Sequence, residues 1–378
     1  MTLASYEDML TFITVKTAKN AERFGNQLPT ATVDGEYQFA QDGFWTGGFW
    51  TGMLLLCYEA TNNEDFLYSA RGASITLEKR LYEQALTLDH DIGFLYQLSF
   101  VADYKLTGNE RAKTIGLDAA DQLLQRYNAQ GKFIQAWNVW TPGDLFSEEN
   151  KGRIIIDCMY NLPMLMWAYE VSGRLEYYEA AVAHADTCAE TIVRQDDTTF
   201  HSYVFDPETG ARIGGRTVQG YADDSCWSRG QAWAVGGYTY LYRYTKDSKY
   251  LKLAQRLADR YLSLTGDQDV PPWDFSVPNP GQEPLDTSAA AVFAASLLEL
   301  ATVVDKPLQE QYQQRAEKII HTLYEHYSTK DHPEHEGLLL HACQHRTQGE
   351  FIDSSLIYGD YYFAEAVAFL AGKTSKYW

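Results

Sequence analysis

The sequence predicts an all-α fold in which six helical hairpins close into an (α/α)6 barrel, with an inner and an outer ring of helices. Apolar helical segments alternate with amphipathic ones at a repeating spacing. Short polar turns separate the two members of each pair. Long loops rich in Gly, Pro, Trp and Asp precede the apolar members, and long loops inside a compact chain are usually functional.

The first helix of each predicted hairpin is apolar around its whole surface, as expected of an inner ring. These helices begin at Gly47, Gly93, Asp157, Gly230, Ser288 and Gly359. The turns lie at 61–63, 107–109, 171–173, 245–247 and 304–306, and the N-terminal helix supplies the partner of the sixth inner helix. The inner helices begin at one end of the barrel, where their positive dipole ends favour an anionic ligand.

A small β-hairpin near this end is predicted between His201 and Trp227. The segment 202–205 alternates in the manner of a strand, and 206–210 contains turn-forming residues. No Pro/Ser-rich linker divides the chain, so residues 1–378 are predicted to form a single catalytic domain.

The composition argues against several classes of partner. A net charge of −20 disfavours nucleic acid and anionic membrane surfaces, since both need a basic footprint. The 9 Trp and 27 Tyr residues suit either a sugar-binding cleft or the core. Five scattered cysteines without a C-x-x-C pair indicate reduced thiols, and neither a signal peptide nor a transmembrane span is predicted. We therefore expect a cytoplasmic protein.

Two aspartates occupy apolar surroundings. Asp157 lies inside the run Ile154–Tyr160, and Asp91 opens an almost uncharged run that ends at Tyr96. Burial of an unpaired carboxylate costs several kcal/mol. The placement of two aspartates in apolar segments therefore predicts a general acid that is held protonated beside an anionic carboxylate. The alternative is that each aspartate caps the N-terminus of a helix, a position that Asp favours.

Polar residues beside aromatic ones are further candidates for the site. His90 adjoins Asp91, and His201 opens the predicted hairpin, so each is either a partner of the site or an exposed histidine. Arg229 precedes an inner helix, where its guanidinium serves either a ligand carboxylate or a buried Asp. Weaker candidates of the same kind are Arg153, Arg216 and Gln219.

The sequence offers no motif for a metal or a nucleotide cofactor. The histidine-rich stretch from His332 to His345 lacks the helix-borne H-E-x-x-H pattern and the thiolate spacing of zinc sites. There is no P-loop, no G-x-G-x-x-G in a βαβ unit and no G-x-S-x-G. A reaction without metal or cofactor is therefore predicted.

Seven short motifs follow one another from Trp45 to Tyr362. They are WTGGFW at 45–50, LDHDIGFLY at 88–96, IQAW at 134–137, GRIIIDC at 152–158, WSRGQAW at 227–233, WDF at 273–275 and YGDYY at 358–362. In this order the motifs resemble the unsaturated glucuronyl hydrolases of glycoside hydrolase family 88. The resemblance covers nearly the whole chain.

The resemblance implies an (α/α)6 barrel and an unusual hydrolysis. The implied substrate is an oligosaccharide from chondroitin, hyaluronan or heparin with a 4,5-unsaturated glucuronic acid at its non-reducing end. Such enzymes protonate C4 of the vinyl ether, water adds at C5, and the hemiketal opens to release the uronate as a keto acid. The protein is expected to act as a monomer or homodimer without a cofactor.

The resemblance also implies roles for individual residues. Asp157 is implied as the general acid that protonates C4 and then as the base that activates water, with Asp91 holding ring hydroxyls. The other implied contacts are His201 and Gln219 around the uronate and the attacking water, and Arg229 near the substrate carboxylate or its neighbouring groups. Trp45, Trp137 and Trp233 are implied to stack on the sugars, and His90 to line the pocket.

One loop departs from the family pattern. Within the family that this chain resembles, the members that prefer sulfated disaccharides share a Ser-x-x-Ser-x-Lys pattern after the fifth hairpin. The equivalent here runs from Gln344 to Gly349 and has neither the serines nor the lysine. Gln344 is kept as a substrate-binding candidate, and Arg346 and Arg216 remain candidates for a sulfate, but no sulfate preference is predicted.

Rival functions stay open. An unsaturated rhamnogalacturonyl hydrolase would share the fold and the chemistry but take a pectin-derived substrate. A sugar epimerase of the same barrel class would need histidine bases where this sequence offers aspartates, with only His90 and His201 nearby. A purely sugar-binding protein would gain nothing from a desolvated carboxylate.

Overall fold

The computed structural model describes residues 4–374 and 377–378, and its helices form the (α/α)6 barrel. In chain order the α-helices are α1 (Tyr6–Phe24), α2 (Gly47–Thr61), α3 (Glu64–Glu83), α4 (Ile92–Tyr96), α5 (Ala102–Thr107), α6 (Glu110–Leu124), α7 (Leu145–Glu149), α8 (Leu162–Ser172), α9 (Leu175–Thr191), α10 (Ser228–Thr245), α11 (Ser248–Thr265), α12 (Thr287–Ala301), α13 (Lys306–Thr322) and α14 (Ile357–Leu370). The inner ring consists of α2, α4 with α5, α8, α10, α12 and α14. The outer ring consists of α1, α3, α6, α9, α11 and α13.

The burial of the helices distinguishes the two rings. Every residue of α12 is buried, and α10 is buried from Ser228 to Leu241. The outer helix α13 buries only Tyr312, Ala316, Ile319 and Ile320, which is the spacing of one helical face. Helix α1 packs against α14 and completes the sixth pair. The predicted alternation of apolar and amphipathic helices is therefore confirmed.

The start of the third inner helix differs from the prediction. Asp157 lies in a 3-10 turn, Ile156–Tyr160, and α8 begins only at Leu162. Pro163 occupies the first turn of α8, where a residue without an N–H leaves no hydrogen bond unmade. This places the helix start after Asp157. The second inner helix also differs, because a π-helical segment, Gln97–Val101, joins α4 to α5.

Small antiparallel sheets occupy the loops before the inner helices. The strands are β1 (Leu28–Val33), β2 (Glu36–Ala40), β3 (Tyr127–Asn128), β4 (Phe133–Ile134), β5 (Arg153–Ile155), β6 (Ser202–Phe205) and β7 (Arg212–Arg216). They pair as β1–β2, β3–β4 and β5–β6–β7. The predicted hairpin is β6–β7, and β5 adds a strand that the sequence pattern did not indicate. Ile156 N donates to His201 O at 3.0 Å, so this sheet leads directly to Asp157.

The last two residues of the chain pack inside the barrel. Tyr377 and Trp378 are buried. The ring of Trp378 stacks on that of Tyr362 at a centroid distance of 6.0 Å and meets that of Tyr160 at 5.2 Å. Across the described ranges, no helix combines the length and the apolar character needed to cross a bilayer.

Candidate active site

A cavity of about 740 Å³ opens at the end of the barrel where α2, α4, α8 and α10 begin. Of the residues proposed from the sequence, seven line it: Trp45, Asp91, Trp137, Asp157, Gln219, Arg229 and Trp233. Volumes of this size are typical of sites for small ligands. The long loops before the inner helices therefore bring together residues that are far apart in the sequence.

The two aspartates of the cavity meet at one histidine. His90 Nε2 lies 3.0 Å from Oδ1 of Asp157 and 3.3 Å from Oδ1 of Asp91. His90 is fully buried behind them, and its Nδ1 lies 3.1 Å from the carbonyl oxygen of Ala136. A protonated ring would donate to Ala136 and Asp157 at once. We refer to Asp91, His90 and Asp157 as the acid cluster.

Helix capping does not explain Asp91 or Asp157. Asp91 holds the N-cap position of α4 without a side-chain hydrogen bond to that helix. Its Oδ1 is buried and has no hydrogen-bond partner within residues 4–374 and 377–378. Asp286, before α12, shows the capping geometry, because its carboxylate accepts from the N–H groups of Ser288 and Ala289. The acid cluster instead directs its carboxyls to His90 and the cavity.

Burial and charge shift the proton affinities of the acid cluster. Burial by itself lowers the pKa of His90, but the charges of Asp91 and Asp157 outweigh burial and raise that pKa to about 9. Burial raises the pKa of Asp91 well above its ordinary range, against the opposing effect of His90. Near neutral pH the raised pKa values of His90 and Asp91 both favour the retention of a proton within the acid cluster.

A second histidine presents an unused donor. His201 Nδ1 accepts from the backbone N–H groups of Val218 at 2.9 Å and Gln219 at 3.2 Å, so Nε2 carries the ring proton. Among the residues that the structure describes, buried Nε2 has no hydrogen-bond partner. Burial lowers the pKa of His201 well below its ordinary value, and the ring is neutral. The ring lies beside Trp227, at 4.6 Å, and has a free N–H for a ligand oxygen.

Arg229 uses most of its donors within the protein. The buried guanidinium pairs with buried Asp286 and donates through Nη1 to the carbonyl of Cys343 at 2.8 Å. Its Nη2 donates to Oε1 of Gln219 at 3.3 Å and to the carbonyl of Gln344 at 2.9 Å. Of the two alternatives for this arginine, the buried Asp is the partner present. Arg229 also lines the cavity, so it contributes positive potential there.

The tryptophans divide between the wall and the floor of the cavity. The ring of Trp137 lies 6.2 Å from that of His90 and 6.4 Å from that of His201. The ring of Trp45 packs 4.7 Å from that of Tyr358. Trp233 is almost fully buried, and an indole in this position forms floor rather than an open stacking surface.

Besides His90 and His201, which are buried, further sequence-based candidates do not line the cavity in the described part of the chain. The Nη2 atom of Arg216 lies 3.6 Å from Oε1 of Glu149. Gln344 contributes its carbonyl oxygen to Arg229, as described above. Arg153 is buried and donates to Glu149 and Asn150. Sequence neighbourhood alone could not separate these residues from the ones that reach the cavity.

The cavity wall also contains residues that the sequence did not single out. They are Phe44, Arg80, Thr87, Asp89, Trp140, Phe146, Ile155, Thr217, Val218, Trp227, His345, Gln348 and Glu350. The aromatic loop at 136–144 was a signal for Trp140, and adjacency to His90 was one for Asp89. Ile155, Trp227, His345 and Gln348 lie within motifs or loops already described from the sequence. The remaining residues of the wall had no individual signal.

One group of potential metal ligands was found within the described residues, formed by Asp89, His90 and Asp91. Both ring nitrogens of His90 already face oxygen atoms of the protein, and a pKa of about 9 keeps them protonated near neutral pH. A protonated ring has no lone pair to offer a metal ion. This donor set therefore suits proton transfer better than metal binding.

The chain resembles proteins of known activity over nearly its whole length. Residues 17–369 match the family described as Glycosyl Hydrolase Family 88. The unsaturated glucuronyl hydrolase of Bacillus sp. (strain GL1) is 39% identical over 96% of this chain and 96% of its own. The unsaturated chondroitin disaccharide hydrolase of Streptococcus pneumoniae (strain ATCC BAA-255 / R6) is 34% identical over 95% of this chain and 90% of its own. The crystal structure of the Bacillus sp. GL1 unsaturated glucuronyl hydrolase has a TM-score of 0.94 to this structure, at 37% identity, and covers 99% of both chains.

Proposed function

Because the chain belongs to Glycosyl Hydrolase Family 88, we propose that it hydrates the C4=C5 vinyl ether of a 4,5-unsaturated glucuronic acid. The uronate is the non-reducing end of an oligosaccharide that a lyase has cut from a glycosaminoglycan. The observation that carries the proposal is the acid cluster in the wall of a cavity of ligand size. Protonation of a carbon–carbon double bond needs a stored proton at a fixed position, and this cluster provides one.

We propose that the first step uses the proton shared by Asp157 and His90. The hydrogen bond between Oδ1 and Nε2 holds one proton, which moves to the carboxyl as Asp157 reaches C4 of the substrate. The electron pair of the double bond forms the C4–H bond, and positive charge develops at C5 and the ring oxygen. Asp157 is left as a carboxylate beside this charge.

The second step returns the proton. Water bonds to C5, and its proton passes to the Asp157 carboxylate, so the acid of the first step acts as the base of the second. The sum of both steps is the addition of one water molecule. The hemiketal at C5 then opens, the uronate leaves as a keto acid, and the remaining sugar is released. The stereochemical rule based on the separation of two carboxyls does not apply, because the ring opens.

Other residues of the cavity are proposed to bind the uronate. Asp91 lines the cavity, and its Oδ1, which has no hydrogen-bond partner in the described chain, is free to bind a ring hydroxyl. The free Nε2–H of His201 suits a carboxylate oxygen or the attacking water, and Gln219, whose backbone N–H donates to His201, lines the cavity. Arg229 adds positive potential for an anionic sugar. Trp45 and Trp137 offer ring faces to the sugar.

We also propose that the preferred sugar next to the uronate carries no sulfate. The Nε atom of Arg346 lies 3.3 Å from Oε2 of Glu283, and Arg216 faces Glu149 at 3.6 Å. Both cations that the sequence suggested for a sulfate are therefore beside a carboxylate. Glu350 adds a further negative charge to the cavity wall.

The proposed setting is the cytoplasm. All five cysteines are buried and unpaired, which suits a reducing compartment. Fractionation of the source cells with an antibody to the protein tests this directly, and recovery outside the cytoplasm would contradict it.

The test of the proposed function follows the ultraviolet absorbance of the conjugated double bond in unsaturated chondroitin and hyaluronan disaccharides, with and without sulfate. We expect loss of absorbance with the wild type, fastest on unsulfated substrates. Asp157→Asn should lower kcat by about 10²–10⁴-fold while substrate affinity persists, because the change removes the proton with little change in volume.

Variation of the substrate separates the rival function. Turnover of a rhamnose-linked pectin disaccharide, with none on glycosaminoglycan disaccharides, would favour an unsaturated rhamnogalacturonyl hydrolase. An Asp157→Asn variant within a few-fold of the wild type would contradict the role given to this carboxyl.

A further inference from the structure

A row of aromatic rings leads from the acid cluster to solvent along the loop between β4 and β5. Trp137, whose ring lies 6.2 Å from that of His90, is its inner member. The ring centroid of Trp140 lies 5.4 Å from that of Trp137, and the centroid of Phe146 lies 6.0 Å from that of Trp140 at an angle of 27°. Trp140 and Phe146 line the cavity yet are 56% and 38% exposed. The row therefore continues the cavity outward.

The outer end of the row is held by a buried cation. The guanidinium carbon of Arg153 lies 4.5 Å from the ring centroid of Phe146. Arg153 is itself fixed, because Nε donates to Asn150 Oδ1 at 2.8 Å and Nη2 to Glu149 Oε2 at 2.8 Å. Cation–π and stacked aromatic contacts are both favourable. Because Phe146 contacts both buried Arg153 and exposed Trp140, it helps to fix the orientation of the Trp140 ring.

Hydrogen bonds also brace the loop that carries Trp140. Asp144 caps α7 by accepting from the N–H of Ser147 at 2.9 Å, and Thr141 N donates to the hydroxyl of Ser147 at 2.8 Å. Asn150 donates through Nδ2 to the carbonyl of Asn138 at 3.0 Å. These hydrogen bonds hold the large apolar ring of Trp140 exposed beside the cavity, although its burial would be more favourable. Such surfaces mark binding sites.

We propose that Trp140 is the platform for a sugar beyond the one bonded to the unsaturated uronate, and that Phe146 and Arg153 hold its indole in place. The inference rests on the proposed function, because it takes Asp157 as the point where the uronate reacts. The row begins at the acid cluster, so an oligosaccharide that starts there and runs outward reaches Trp137 first and Trp140 next. The flat C–H face of a pyranose covers an indole while its hydroxyls remain in water.

The experiment compares an unsaturated, unsulfated chondroitin disaccharide with the corresponding tetrasaccharide. The variants are Trp140→Ala, Trp140→Phe and the control Tyr68→Ala, which removes an aromatic ring that is 82% exposed and does not line the cavity. We expect Trp140→Ala to lower kcat/KM for the tetrasaccharide by about 2- to 10-fold and to affect the disaccharide much less. Trp140→Phe should restore most of the loss, and Tyr68→Ala should change neither substrate.

Two results would overturn the proposal. One is an equal loss on both substrates in Trp140→Ala, which would assign the indole to the disaccharide site. The other is the same kcat/KM for the tetrasaccharide in Trp140→Ala and in the wild type.

Binding measured without turnover keeps this test separate from the proposed function. In an Asp157→Asn background, calorimetric titration should show tighter binding of the tetrasaccharide than of the disaccharide, and Trp140→Ala should abolish the difference. Equal affinities in the Asp157→Asn protein would overturn the role of Trp140. Absence of turnover by the wild type on both substrates would instead contradict the proposed function, and the titration would still decide the role of Trp140.

Discussion

The exchange His90→Gln should remove the proton store of the acid cluster with a small change in shape. The amide nitrogen of glutamine occupies a position similar to that of Nε2 and still donates to Asp157, but an amide holds no exchangeable charge near neutral pH. The hydrogen bond from Nδ1 to Ala136 is lost as well. We therefore expect both the pH dependence of the reaction and the pH dependence of stability to change.

The magnitude follows from the pKa of His90, which is about 9 in the folded protein and 6.5 ordinarily. At about 1.4 kcal/mol for each pH unit, this difference corresponds to roughly 3 kcal/mol of folding free energy. Because the folded-state pKa is the higher one, the contribution is complete below about pH 6.5 and is lost as the pH rises through about 9. His90→Gln should therefore destabilise the protein at pH 6. Above pH 9 the protonation of His90 no longer contributes to the folding free energy, so its loss should have little effect there.

Two assays measure the effect. Urea unfolding of the wild type and of His90→Gln at the two pH values gives the difference in free energy of unfolding. The pH profile of kcat/KM, followed by loss of ultraviolet absorbance, should fall near pH 9 in the wild type and lose that limb in the variant. The control is His326→Gln, which changes an exposed histidine outside the cavity wall. A destabilisation of equal size at both pH values, or an alkaline limb that persists in His90→Gln, would refute the reasoning.

Three further changes test the site and the barrel. Asp91→Asn should lower the pKa of His90, because the charge of Asp91 is the largest of the effects that raise it; an NMR titration of the His90 ring measures this, and an unchanged pKa would contradict it. Asp286→Asn should cost about 3–5 kcal/mol by leaving buried Arg229 without its charged partner, and an unchanged unfolding midpoint would contradict it. Gly48→Ala should destabilise the protein by about 1–3 kcal/mol or more in the same assay, because the added Cβ would overlap the backbone carbonyl oxygen of Phe94.

Much of the barrel could be predicted because each helix pair is a local pattern. The turn at 107–109, for example, contains Gly108, which ends α5 in the left-handed conformation that glycine favours. The run of small and apolar residues that begins at Ser288 indicated α12, which is buried throughout. These signals act over a few residues and do not depend on what the helix later packs against.

Other features depend on packing and had no local signal. The π-helical segment at Gln97–Val101 lies inside a helix that any apolar pattern would extend without a break. The burial of Trp378 depends on the space that Tyr160 and Tyr362 leave inside the finished barrel. A two-residue segment carries no periodicity from which its position could be read.

The sequence by itself determined the ring of hairpins, the family resemblance and the two aspartates in apolar surroundings, because periodicity, turn residues and motifs are written in consecutive positions. Only the tertiary structure decided that one histidine joins those aspartates, that Arg229 pairs with Asp286, and that Arg216 faces Glu149 outside the cavity wall. The reason is geometric. Partners from distant loops are selected by where the helices end and how each side chain rotates, and a hydrogen bond tolerates errors of only a few tenths of an ångström.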